Sequence, residues 1–163
     1  MIRFFSFILI LVLFIKPLSA QQSKIYNPSS NALNEINDAL KKASAEKKFV
    51  LIQAGGNWCK WCLEFDRFSK ADVQIDSLIK NNFVLYHLNY SNENLNKEIF
   101  EKYGYPQRFG FPVFLILNGK GERIHTQNSS YLENGKNSYD QQKVFNFLDQ
   151  WKPDALLSQT YAQ

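Results

Sequence analysis

Phe49-Val50-Leu51-Ile52-Gln53-Ala54-Gly55-Gly56-Asn57-Trp58-Cys59-Lys60-Trp61-Cys62 is the stretch on which the reading of this chain turns. Its first four residues form an unbroken apolar run, the pattern of a short strand buried on both faces. Gly55-Gly56 ends the run, and Asn57 is of a type that caps a following helix. Beyond Cys62, Phe65 and Phe68 recur at helical spacing. Cys59 and Cys62 are the only two cysteines. A pair at i and i+3 at the mouth of a helix can cycle between dithiol and disulfide, bind a metal, or fill space.

Upstream, Arg3 followed by an apolar run from Phe4 to Ile15, broken only by Ser6, and then Leu18-Ser19-Ala20, reads as a secretory signal over residues 1–20. Twelve helical residues span only about 18 Å, short of a bilayer core of about 30 Å. Cleavage is expected near Ala20, with a mature chain starting near Gln21. No cysteine follows the apolar run, so a lipid has no attachment point there. The expected location is periplasmic or secreted. That setting is oxidising, and a bridge between residues three apart would close almost no loop and add little stability. Chemistry is the better reason for such a pair.

Composition narrows the partners. The 19 Lys+Arg fall to 17 once Arg3 and Lys16 are set aside, against 15 Asp+Glu. A balance this small and scattered makes no case for nucleic acid or an anionic surface. His87 and His125 are isolated and form no metal-ligand pattern with the cysteines, so no stable metal is expected.

The 163 residues suit one domain. Residues 21–28 read as a polar lead-in with little pattern. Leu33, Ile36, Leu40 and Ala43 make one helical stripe, predicting a helix over about 30–46. After the cysteine helix, Ser69 marks an interruption before a second helical segment over 72–80. Residues 83–88 read as a strand, 91–101 as a helix, and 113–117 as a third apolar strand. Asn118-Gly119-Lys120-Gly121 is a hairpin signal returning through 123–126. Residues 127–138 read as an exposed loop, 140–151 as a helix carrying Val144, Phe145, Leu148 and Trp151 inward, and 153–163 as an extra turn or tail. Strands alternating with helices imply an α/β domain over 29–152, with a mixed, mostly parallel sheet of four or five strands flanked by helices on both faces.

This order, with Trp58-Cys59-Lys60-Trp61-Cys62 after the first strand, Phe111-Pro112 before the third, and a hairpin and helix at the end, resembles the thioredoxin-like family. Within it, the motif is most similar to exported bacterial members akin to the C-terminal domains of disulfide-interchange proteins. The resemblance implies a protein-disulfide oxidoreductase. It needs no cofactor beyond a redox-active Cys59–Cys62 pair, its substrates are exported proteins, and a membrane or periplasmic thiol partner exchanges its electrons. Cys59, at the helix N-terminus where dipole and free N–H groups favour a thiolate, would attack, and Cys62 would resolve.

Trp58, Lys60 and Trp61 would shape the substrate surface, and the resemblance implies a cis-proline at Pro112. Phe111 stands where a small or β-branched residue is frequent, and would narrow or grease the groove. Arg108 and Phe109 would lie in the neighbouring loop. Gln53 occupies the position of a buried acid that relays a proton to the resolving thiol, and an amide cannot act as a base; proton removal from Cys62 would then rely on water or on another group, such as Glu64. From other classes, a Cu(I) or Zn²⁺ carrier using the same thiolates, or a non-catalytic binding module, would also use this fold.

Overall fold

The structure, a computed structural model, describes residues 24–157 and Tyr161. Residues 1–20, read above as a signal, lie outside the described residues, as does part of the 21–28 lead-in.

Among the described residues, five α-helices and four strands follow in the expected order. They are α1 (Ala32–Ala45), β1 (Phe49–Gly55), α2 (Lys60–Ala71), α3 (Val73–Asn82), β2 (Phe83–Asn89), α4 (Lys97–Lys102), β3 (Val113–Leu117), β4 (Arg123–Asn128) and α5 (Gln141–Trp151). The sheet order is β2-β1-β3-β4, so β1 is central. Alternation along β1 divides the core between two faces. Val50, Ile52 and Ala54 pack with Ala32, Ile36 and Ala43 of α1 and with Phe100 of α4. Leu51 packs on the other face with Phe65 of α2, Ile75 and Ile79 of α3, and Val144, Phe147 and Leu148 of α5. Two residues on from Leu51, Gln53 therefore lies on the α2 side.

The sheet is mixed, but its balance differs from the sequence expectation. Only β1 and β2 are parallel; β3 runs antiparallel to both β1 and β4. The reason is the connection. Gly55 pairs with Asn89, and Ala54 with Val113, so β3 begins at the end of the sheet where β1 and β2 finish. The six residues of α4 span about 9 Å at ~1.5 Å per residue. That helix is shorter than a strand of seven residues, which spans roughly 23 Å, and the chain enters β3 from the same end.

Other boundaries moved for local reasons. The buried stripe of α1 starts at Ala32, and Leu33 is exposed. Ser69 does not break α2: it is buried, and its hydroxyl donates back to the Asp66 carbonyl. The break is Asp72, whose side chain caps α3 through the N–H groups of Gln74 and Ile75. Of the helical segment expected over 91–101, only the part from Lys97 onward winds into a helix, which runs on to Lys102. Its first half is held by asparagines, with Asn89 Nδ2 donating to the Asn94 carbonyl at 2.9 Å and Asn96 Nδ2 to the Asn89 carbonyl at 2.8 Å. Asparagine side chains compete there with helical backbone bonds.

Strand β4 extends to Asn128, and the expected exposed loop after it contains a 3-10 turn, Ser129–Leu132, with Ser129 and Leu132 buried. On α5 the inward residue missed by the periodicity is Phe147, whereas Phe145 and Trp151 are half-buried. His125 stacks on Trp151 with ring centroids 4.1 Å apart. Past α5, Pro153–Leu156 forms a 3-10 turn.

Candidate active site

Because β1 ends in Gly55-Gly56, the chain turns sharply over the sheet edge and delivers Cys59 to the start of α2. Cys59 is itself the N-cap, and Cys62 N–H donates to Cys59 Sγ at 3.1 Å. The sulfur thus occupies the place of a capping oxygen, where free N–H groups and the helix dipole stabilise negative charge. Cys59 and Cys62 are disulfide-bonded, with Cα atoms 5.2 Å apart. Cys59 retains 5% exposure and Cys62 none, so only the first sulfur can meet another protein.

Asn57, expected as the helix cap, does something else. Its Oδ1 accepts from the backbone N–H groups of Ile25 and Tyr26 at 3.0 and 3.1 Å, and its Nδ2 donates to the Tyr26 carbonyl at 2.8 Å. The lead-in is therefore fastened across the site rather than left as patternless chain. Asn57→Ala is expected to cost about 1–3 kcal/mol, the range for leaving partly buried backbone groups unpaired. Faster hydrogen exchange at the Ile25 and Tyr26 amides would report it; unchanged protection there would contradict it.

The two glycines are required for space. A Cβ on Gly55 would sit 2.4 Å from Cys62 Sγ and 2.9 Å from Tyr26 Oη. One on Gly56 would sit 2.4 Å from Trp58 Nε1. Trp58 folds over that bare backbone and donates from Nε1 to the Tyr90 carbonyl at 2.7 Å, yet stays 59% exposed.

The remaining residues singled out in the sequence divide around the disulfide. Trp58 lines a groove of about 290 Å³ with Tyr90, Ser91, Asn92, Glu93 and Leu95. Lys60 and Trp61 line another, about 270 Å³, with Leu63, Glu64, Arg67 and Asn137. A larger open groove, about 770 Å³, runs between residues 29–33 and 92–99 and contains no residue of the cysteine motif. Trp61 also packs edge-on to Tyr139, with centroids 5.5 Å apart.

Phe111–Pro112 is a cis peptide, and Pro112 leads directly into Val113, the partner of Ala54. Phe111 lines neither groove beside the disulfide. It is half-buried, edge-on to Trp58 at 5.5 Å and against Tyr90 at 4.9 Å, so it supports the tryptophan from below. Arg108 turns onto Phe109, 4.3 Å from the ring centroid, and donates to the Gly104 and Tyr105 carbonyls. Neither Arg108 nor Phe109 lines these grooves.

Gln53 is fully buried beneath the pair, and its Nε2 donates to Tyr26 Oη at 2.9 Å and to the Cys62 carbonyl at 2.8 Å. Glu64 does not replace the missing acid. Its carboxylate is engaged by Arg67 at 2.6 and 2.8 Å and by the Ser138 hydroxyl. The Arg67 hydrogen bonds, chiefly, hold its pKa below the usual carboxylate range, which makes it a weaker base.

Sequence reasoning missed Tyr26, Asp66 and His87. Tyr26 is 2% exposed and packs on both cysteines. His87 lies edge-on to the Tyr26 ring, with its Nε2 3.7 Å from Asp66 Oδ1. The available signal for the first was Ile25-Tyr26, an apolar pair inside an otherwise polar lead-in.

A thioredoxin-like family model matches residues 31–119, from the cap of α1 through β3. Among solved structures, the chain is similar to a disulphide isomerase from Xylella fastidiosa Temecula1, with 25% identity and a TM-score of 0.66 over 77% of this chain and 94% of that one. It is also similar to a thioredoxin from Thermus thermophilus, at 20% identity and a TM-score of 0.50 over 70% of this chain and 81% of that one. The oxidised C-terminal domain of Neisseria meningitidis DsbD is similar at 16% identity and a TM-score of 0.50, over 72% of this chain and 90% of that one. The last two likenesses bear on the fold alone. No curated protein matches the sequence. With more than half of its length matched, and with the Cys59–Cys62 disulfide at the cap of α2, the chain belongs to the thioredoxin-like family.

Proposed function

We propose that this protein is a thiol–disulfide oxidoreductase acting on exported protein substrates. The observation that carries the reading is the asymmetry of the pair: Cys59 caps α2 and keeps 5% exposure, and Cys62, with none, is sealed behind it. In the reductive direction, Cys59 thiolate attacks a substrate disulfide, forming a mixed disulfide and expelling one substrate thiolate. Cys62 sulfur then attacks Cys59 Sγ; the Cys59–Cys62 bond forms and the second substrate sulfur leaves with the electron pair. A membrane or periplasmic thiol partner restores the dithiol by supplying two electrons and two protons. Trp58 and Trp61 flank Cys59 in the chain and offer flat apolar surfaces suited to an extended substrate segment.

The export component rests on the signal-like pattern of residues 1–20 and places the working protein in the periplasm or outside the cell. Mass analysis of the exported chain is expected to give an N-terminus near Gln21, and a chain retained with Met1 would refute export by this route.

The activity itself is tested by Cys62→Ser. Without the resolving thiol, reduced protein is expected to accumulate mixed disulfides with disulfide-bearing exported proteins, each formed as one substrate thiolate leaves, and released by dithiothreitol. Absence of such adducts, with wild-type chain unable to reduce insulin, would overturn the reading.

A further inference from the structure

We infer that the Tyr26 hydroxyl takes over the task left vacant at Gln53, donating a hydrogen bond that stabilises the Cys62 thiolate during resolution. The inference rests on the oxidoreductase reading for its biological meaning, but its chemistry stands on geometry. Cys62 Sγ and Tyr26 Oη both lie over the bare backbone of Gly55, close enough that a single Cβ there would collide with each. Their separation is no more than the sum of those two short distances.

Gln53 sets the direction of the hydroxyl. Both hydrogens of its amide are committed, one to Tyr26 Oη and one to the Cys62 carbonyl. The tyrosine oxygen is thereby the acceptor in that bond, and its own hydrogen makes no bond among the described residues. Cys59 and Cys62 both pack against Tyr26. An amide at position 53 is thus no base, but it leaves the Tyr26 hydrogen free to turn to a thiolate on Cys62.

Tyr26 serves as donor, not as base. Burial pushes its ionisation far above the ordinary phenol range, so the hydroxyl keeps its proton while Cys62 loses one. The buried sulfur needs such help, because burial also disfavours a thiolate. In the resolving step the Cys62 S–H bond breaks and its sulfur attacks Cys59 Sγ. The Cys59–Cys62 bond forms, the mixed disulfide breaks, and the departing thiolate ends with the electron pair and takes up a proton. No other oxidant or reductant enters.

The charged and titratable groups facing this pair are Asp66 of α2, ion-paired with Lys70 at 2.7 Å, His87 of β2, and Tyr139. Burial pushes His87 down, against the pull of Asp66, and pushes the Tyr139 hydroxyl up. All are present in both wild type and a Tyr26 variant, so a difference between the two pH profiles reports loss of the hydroxyl together with the bond it accepts from Gln53.

The experiment reacts reduced protein with a chromogenic aromatic disulfide. Each cysteine then gives its own burst of coloured thiolate, first from attack by Cys59 and second from resolution by Cys62. Tyr26→Phe is expected to leave the first phase unchanged and slow the second about tenfold near neutral pH, as for a lost hydrogen bond to a charged group. The profile of that phase should move up by about one pH unit. Site-specific fluorotyrosine at position 26, a stronger donor, should shift it the opposite way and covers the case of a poorly folded phenylalanine variant. An unmoved second phase, equal slowing of both phases, or fluorotyrosine acting like phenylalanine would overturn the inference. Failure of the wild type to reduce protein disulfides would instead sink the oxidoreductase reading, and leaves these small-molecule phases measurable.

Discussion

Cys59→Ser is expected to abolish disulfide reduction, lowering the insulin turnover seen with dithiothreitol by at least roughly a thousandfold, to the uncatalysed background. The nucleophile in this chemistry is a thiolate, and a serine hydroxyl does not ionise near neutral pH. Cys62 cannot substitute, since it has no exposure and lies under the first sulfur. The loss is expected without unfolding. Serine is a preferred N-cap, and its hydroxyl can accept from the Cys62 N–H as Cys59 Sγ does at 3.1 Å. A melting profile close to that of the reduced wild type, with activity gone, is the expected pair of results. Wild-type turnover by the variant would remove Cys59 from the mechanism.

Phe65→Ala is expected to be the most damaging core change near the site, costing about 3–5 kcal/mol. Total stability of a domain is only about 5–15 kcal/mol, so a large part of the folded population is at risk. Phe65 is fully buried one turn beyond Cys62, with its ring centroid 4.4 Å from that of Phe114 on β3 and 5.1 Å from that of Tyr139. It fastens α2 to the sheet and to the segment leading into α5. Urea unfolding should show a lower midpoint with little change in slope. A loss below about 1 kcal/mol would mean that the surrounding aromatics collapse into the space, contrary to the usual stiffness of a packed interior.

The two experiments differ in what made them foreseeable. Cys59 could be picked out from the chain alone, because its role follows from local facts: an apolar run, two glycines, then cysteines one helical turn apart. Phe65 could be placed on the buried stripe of α2 by periodicity, but its partners Phe114 and Tyr139 could not. The same holds for Phe111, expected as a groove residue and found propping Trp58. Tyr26 and Asn57 were the harder cases, since their bonds join positions 31 and 32 residues apart in the chain. The apolar pair Ile25-Tyr26 shows that the lead-in has something to bury, but not that it will be strapped across a disulfide.

What the sequence by itself determined was the order of helices and strands, the two-faced burial of β1, and the placing of Cys59 and Cys62 at the start of a helix. These are properties of hydrophobic period, glycine breaks and short-range spacing, all read within one element at a time. Only the tertiary structure decided the antiparallel entry of β3, Cys59 as cap in place of Asn57, and the gathering of Tyr26 and Gln53 beneath Cys62 over Gly55. Those depend on which buried face meets which. Periodicity shows that a residue is buried, whereas its neighbour is chosen by the path of the connecting chain and by the space that one missing Cβ leaves open.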